Sequence, residues 1–203
     1  MPDPSQHTID RVREHMTNYG CDTACHFQPG ADLEPRYLTA AAFVRDGVTI
    51  LDAGCNSGAF GERLLRERKD VTLIGVEPNS TLAMLALGKG YAEVHIGLIE
   101  DVAQRIRPVD VVVAMDPLDY CIDVDACLAA LLLPLRSGGL LINEGVHRAG
   151  RWGNTDAHSD LMRSWTPAEM EALLSPHLQG LVVWEVRSRS GTTDWCYCVG
   201  RKA

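Results

Sequence analysis

Apolar positions along the chain follow two rhythms. Ile9, Val12, Met16 and Tyr19 recur at helical spacing and predict an amphipathic helix over residues ~6–19. Gly20 to Pro29 is turn-rich, and Pro35 to Arg45 reads as a second helix that Asp46-Gly47 stops. From residue 48 the rhythm changes. The short apolar runs VTILDAG (48–54), VTLIGVE (71–77), AEVHI (92–96), VDVVVAM (109–115) and LLIN (140–143) read as strands. Between them stand the helical stretches AFGERLLRER (59–68), STLAMLALGKG (80–90) and EDVAQRI (100–106). A further helix carries Leu128, Leu131, Leu132 and Leu135 at i, i+3, i+4, i+7, and Ser137-Gly138-Gly139 is expected to end it.

Strands that alternate with helices imply βαβ units and a parallel sheet. Continuous rather than alternating apolar strands fit a sheet covered on both faces. Periodicity is lost from Gly145 to Trp165. It returns at Thr166-Pro167-Ala168-Glu169, a capping box with proline at the first helical position. LVVWEV (181–186) and WCYCVG (195–200) follow, and their short connection, Arg187 to Asp194, predicts an antiparallel pair. The expected architecture is a single α/β domain over 1–203, a Rossmann-like doubly wound sheet, mostly parallel, with an antiparallel C-terminal strand pair. Within it, 1–46 forms an N-terminal helical cap, 47–144 the ligand-binding core, 145–165 a loop, and 166–203 the last helix and strand pair. That loop exceeds the ~12–15 residues at which loops become uncommon and often functional.

Composition narrows the function. The chain has 203 residues, 46% hydrophobic and 23% charged, with a net charge of −8. This is globular composition, and the acidic balance disfavours a nucleic-acid partner. No apolar run approaches the ~20 residues of a membrane helix. No secretory signal is visible, so the seven scattered cysteines are expected to be free thiols in the cytoplasm. Cys21 and Cys25-His26 lack the further ligand that a structural zinc requires, and Cys196 and Cys198 share a strand face and read as core.

The first strand–helix junction carries the chemistry. In an open parallel sheet the ligand sits beyond the C-terminal strand ends. There the chain reads Asp52-Ala53-Gly54-Cys55-Asn56-Ser57-Gly58. Gly54 and Gly58 let backbone approach a ligand. Asn56 stands where a dinucleotide fingerprint has its middle glycine, and asparagine tolerates positive φ. With Asp52 beside the turn, the loop suits a cationic or neutral ligand better than a phosphate. Glu77 ends the second strand, where a carboxylate can accept both hydroxyls of a ribose.

In order, ILDAGCNSGAFGERL, GVEPN, HIGLIEDV, VDVVVAMDPLDYCID and LRSGGLLINEG resemble the motif set of class I S-adenosylmethionine-dependent methyltransferases from about Val48 to Glu144. The resemblance implies a seven-stranded sheet and S-adenosylmethionine as cofactor. It implies that Asp52, Gly54, Asn56 and Gly58 surround the cofactor's amino-acid end and that Glu77 holds its ribose. Leu98 and Ile99 would flank adenine, and Asp116 and its neighbours, at the end of the fourth strand, would face the methyl group. Leu98 departs from the acid that many members place at the adenine amino group, and Tyr120 stands where many have histidine. His147, nearest the fifth strand's end, is the first candidate base, because its ordinary pKa suits proton removal near neutrality. Tyr120 is the second. Asp116 with Asn143-Glu144 faintly resembles magnesium-binding acids, but strand-end polar groups explain these residues more simply, so no metal is expected.

The expected activity is methyl transfer to a small-molecule acceptor. The alternatives are a cofactor-binding protein or non-methylating enzyme on the same fold, a methyltransferase acting on protein or RNA, and a nicotinamide-dependent oxidoreductase, whose fingerprint fails at Asn56 and Ala59. The N-terminal helices either close over the pocket or exchange between subunits of a homodimer.

Overall fold

Consecutive side chains of a strand point to opposite faces, so a strand covered on both faces is apolar throughout. The computed structural model, which describes Glu14, Thr17 and residues 34–150, 163–187 and 191–203, shows this directly. Leu51, Ala53, Ile74, Val76, Val112 and Ala114 enter one core, and Ile50, Leu73, Val111, Val113 and Ile142 enter the other.

The elements are α1 (Glu34–Ala42), β1 (Thr49–Ala53), α2 (Ala59–Glu67), β2 (Thr72–Glu77), α3 (Ser80–Gly88), β3 (Glu93–Ile96) and α4 (Ile99–Val102). A 3-10 turn (Ala103–Arg105) leads into β4 (Val109–Met115), α5 (Pro117–Tyr120), α6 (Val124–Leu132), β5 (Leu135–Val146), α7 (Pro167–Leu174), β6 (Leu178–Arg187) and β7 (Thr193–Lys202). The sheet has seven strands in the order β3-β2-β1-β4-β5-β7-β6, and β7 is antiparallel to both neighbours. β1, β2 and β4 end level at Ala53, Val76 and Ala114, so their outgoing loops share one rim. Helix α1 lies against α2 and β6 on the second core, and α4, α6 and α7 cover the first.

Two boundaries, both on β5, differ from the sequence reading in ways that bear on the site. The leucine helix ends at Leu132, not at the glycines: Pro134 lacks the N–H that would carry the helical hydrogen bonds onward. Leu135 therefore begins β5, opposite Val109, and Ser137-Gly138-Gly139 lies within the strand at a register shift. Gly139 is required there, since a Cβ would fall 3.0 Å from the Asp110 carbonyl. The second difference is that β5 runs on through Gly145 and Val146, which pair with Cys196 and Trp195. His147 bridges Trp165, so the long connection leaves and rejoins the sheet at one place. Residues 151–162 of that connection lie outside the described residues. So do Cys21, Cys25-His26 and most of the first expected helix, of which Glu14 and Thr17 are helical.

The capping box forms as read. The Thr166 hydroxyl accepts from the Glu169 amide, and the Glu169 carboxylate accepts from Thr166 N–H at 2.9 Å.

Candidate active site

Residues Gly54 to Gly58 form the turn between β1 and α2, and it takes left-handed backbone at Gly54, Asn56 and Gly58 (φ 75°, 49° and 78°). The Asn56 side chain stabilises its own turn, its amide oxygen accepting from Ser57 N–H at 2.6 Å. Glu77 ties this loop to the next. One carboxylate oxygen accepts from Asn56 N–H and the other from Asn79 N–H, each at 2.9 Å. Each oxygen keeps a further lone pair.

An open cleft at this rim is lined by Gly54, Asn56, Glu77, Leu98, Ile99, Asp116 and Tyr120. The structure thus brings together seven of the ten residues singled out in the sequence. Met115 and Pro117, the neighbours of Asp116, also line it, and Glu100, Cys121, Ile122 and Cys127 are wall residues that were not foreseen. Glu100 places a carboxylate beside Leu98, where the sequence reading noted a missing acid.

Asp52, Gly58 and His147 are placed elsewhere. The Asp52 carboxylate is buried and accepts a hydrogen bond from the Tyr91 hydroxyl. Gly58 backs onto Ala86 and the Tyr91 ring. His147 is buried away from the cleft lining. Its Nδ1 accepts from Ala149 N–H at 3.2 Å, so Nε2 carries the proton and faces Glu185 at 3.1 Å. This geometry holds the start of the long connection rather than presenting a base to the cleft.

A charged cluster lies where β4 and β5 end. Arg36 of α1 reaches between β4 and β5, pairs with Asp116 at 2.9 Å and contacts Glu144. Its guanidinium stacks over Trp195 at 5.7 Å, and its carbonyl accepts from the Tyr197 hydroxyl. Arg36 occupies the space between the two carboxylates, where the magnesium reading would put a cation. Asn143 points to the opposite face and reaches Met170. Asp116 itself holds a left-handed backbone (φ 75°) at the start of α5 and lines the cleft. Behind it, Asp119 is fully buried and accepts from Val146 N–H at 2.9 Å and Trp165 Nε1–H at 2.7 Å. Arg36 could have been found from its spacing, since it shares the buried i, i+4, i+8 stripe with Ala40 and Val44. A charge on such a stripe needs a partner.

Burial raises the carboxyls here. Asp52 and Glu77 are each pushed up to about 7, with desolvation the largest cause; Tyr91 opposes it at Asp52, and the Asn79 and Asn56 amides at Glu77. Burial also raises Glu144, and the Arg36 guanidinium opposes that rise. Raised carboxyls stabilise the fold fully below their unfolded values, near 4, and lose that contribution as pH rises through the folded values. Asp110 and Glu169 are lowered, so their contribution is lost only at lower pH. The thermal midpoint is therefore expected to fall as pH rises from about 5 to about 8, measured by calorimetric unfolding across that range.

Residues 51–143 match the methyltransferase domain family. With the strand order and the cleft, this places the chain among the class I S-adenosylmethionine-dependent methyltransferases. Among curated relatives, a ubiquinone biosynthesis O-methyltransferase of Rhodopseudomonas palustris (strain BisA53) is 27% identical over 146 residues, covering 69% of this chain and 53% of that protein. The chain thus spans about half the length of that relative. A solved structure of Burkholderia thailandensis 1,6-didemethyltoxoflavin-N1-methyltransferase, with that compound and S-adenosylhomocysteine bound, superposes with a TM-score of 0.73 at 16% identity. The match covers 100% of this chain and 92% of that one. The [4+2]-cyclase SpnF superposes with a TM-score of 0.71 at 13% identity, covering 100% and 98%. Likeness at these identities is one of fold.

Proposed function

We propose that this chain transfers a methyl group from S-adenosylmethionine to an O, N or S atom of a small-molecule acceptor. The observation that carries this reading is the single cleft joining the Gly54–Gly58 turn, Glu77, Leu98, Ile99 and Asp116. The residues fit the cofactor. Glu77 keeps one lone pair on each oxygen for the two ribose hydroxyls, and its own amide bonds hold it in place. Gly54 leaves the cleft floor open, since a Cβ there would reach 3.4 Å from Pro117. Leu98 and Ile99 offer apolar walls to adenine, and Glu100 a carboxylate for its amino group.

The bound cofactor supplies an electrophilic methyl on a sulfonium. The protein's task is alignment, which supplies much of the rate of an in-line displacement. Asp116, fixed by Arg36, and Tyr120 border the site where the acceptor atom lies. Tyr120 is the candidate base for an acceptor that arrives protonated. Helix α1 reaches the cleft edge through Arg36, which pairs with the cleft-lining Asp116. The acidic net charge, and relatives named for ubiquinone biosynthesis and a toxoflavin precursor, support a small molecule over protein or RNA.

Calorimetric titration with S-adenosylhomocysteine tests the cofactor site. Micromolar binding is the expected result, and a folded sample that shows no heat of binding overturns the reading. Because a cyclase shares the fold, release of S-adenosylhomocysteine with candidate phenol, amine and thiol acceptors decides methyl transfer. His147→Ala is expected to leave S-adenosylhomocysteine affinity within about twofold and to cost about 1 kcal/mol of stability, measured by titration and denaturant unfolding. Loss of methyl transfer with cofactor binding retained would return His147 to the chemistry.

A further inference from the structure

Tyr91 lies outside every motif of the cofactor cleft, yet the chain is shaped around it. Its ring is buried in a socket with glycine on three sides. A Cβ on Gly61 would fall 2.5 Å from the ring Cζ and hydroxyl, one on Gly58 would fall 3.0 Å from Cε2, and one on Gly75 would fall 3.2 Å from Cδ1. Such approaches need a neighbour to shift, and the neighbour is a rigid ring in a packed core. The hydroxyl makes two bonds. It accepts from Gly61 N–H, in the first turn of α2, at 3.2 Å, and donates to the Asp52 carboxylate at the end of β1. The Gly54–Gly58 turn, with its three left-handed residues, is thus tied at both ends to one phenol.

We infer that Tyr91 is a positioning residue for the cofactor: it sets the Gly54–Gly58 turn by clamping both its ends and holds Asp52 as an anion beneath it. This rests on the methyltransferase reading, in which the Gly54–Gly58 turn meets the amino-acid end of the cofactor, with its ammonium group, and Asp52 lies buried beneath that turn. The groups facing Asp52 are Tyr91, Arg36 and Tyr37 of α1, Cys55 in the turn, and Glu77 of β2. Arg36 and Tyr91 favour the anion, and burial disfavours it. Removing the phenol hydroxyl withdraws one of the two favourable partners, so Asp52 takes up a proton at higher pH.

The test is Tyr91→Phe, which keeps the ring in its socket. S-adenosylhomocysteine is titrated into both proteins from pH 6 to pH 9, and amide exchange across Gly54–Gly61 is measured without ligand. The variant is expected to bind about tenfold more weakly near pH 8, the loss of one hydrogen bond to a charged group. The rising limb of its affinity profile is expected to move to higher pH. Glu77 titrates in the same range, but its carboxyl is held by the Asn56 and Asn79 amides, so a displaced limb belongs to Asp52. The Gly61 amide is expected to exchange faster.

Equal affinity within twofold across the range overturns the inference. If the natural protein itself fails to bind, the methyltransferase reading falls, and the exchange data then judge the clamp alone: an unchanged Gly61 rate overturns it. Should Tyr91→Phe not fold, Asp52→Asn replaces it. Its amide oxygen still accepts from the phenol, so the turn is expected to exchange at the natural rate while the Asp52 limb vanishes. Persistence of that limb overturns the inference.

Discussion

Replacing Arg36 with alanine is expected to cost about 3–5 kcal/mol of stability at pH 8, the scale for breaking a buried ion pair from one side. Among the described residues, Arg36 is the cation in contact with both Asp116 and Glu144. Glu144 has no exposed surface and, among the described residues, no partner for its second carboxylate oxygen. Without the guanidinium, Glu144 escapes by taking up a proton. The cost is therefore expected to be smaller at pH 5.5 than at pH 8, as denaturant unfolding at the two values would show. Adding Glu144→Gln to the alanine variant should recover part of the loss at pH 8, because the uncompensated charge is gone; a double-mutant cycle measures the coupling. Equal losses at both pH values would mean that Arg36 acts through packing on Trp195 rather than through charge.

Glu77→Gln is the second large effect, and it is not conservative. Both natural oxygens accept a backbone N–H. An amide presents one acceptor and one donor, so either the Asn56 or the Asn79 amide must face an NH2 group. One buried donor left unsatisfied costs about 1–3 kcal/mol of stability. On the proposed reading the ribose loses its anionic acceptor as well, and S-adenosylhomocysteine affinity is expected to fall by at least about 100-fold. Calorimetry checks the affinity, and unfolding midpoints check the stability. The variant should also show a shallower decline of stability between pH 5 and pH 8, since one raised carboxyl is removed. Affinity unchanged at reduced stability would assign Glu77 to loop packing alone.

The sequence carried the sheet because both faces are buried: β1, β2 and β4 are apolar at nearly every position, and their runs match the observed strands within a residue or two. It also carried the rim of the cleft. Gly54, Asn56 and Glu77 are adjacent in space because they stand at the ends of neighbouring strands, and strand ends are legible from where apolar runs stop. Local chemistry was likewise readable where it was self-contained, as at the Thr166 capping box.

Contacts between distant segments were not readable, because nothing local encodes which chain segments meet. Gly58 and Gly61 look like parts of a ligand-binding fingerprint, yet their lack of a Cβ makes room for Tyr91, some 30 residues on. Ser137-Gly138-Gly139 looks like a helix stop, yet it kinks a strand, because Pro134 has already ended the helix. His147 has the right chemistry for a base, but tertiary packing gives both its nitrogens to Ala149 and Glu185. Arg36 meets Glu144 across 108 residues. Pattern and propensity thus determined the fold and the cleft rim, whose residues stand at strand ends and in short turns. The Arg36–Asp116–Glu144 cluster and the support beneath the glycine turn were decided by tertiary structure, because each depends on side chains from separate elements closing around one buried group.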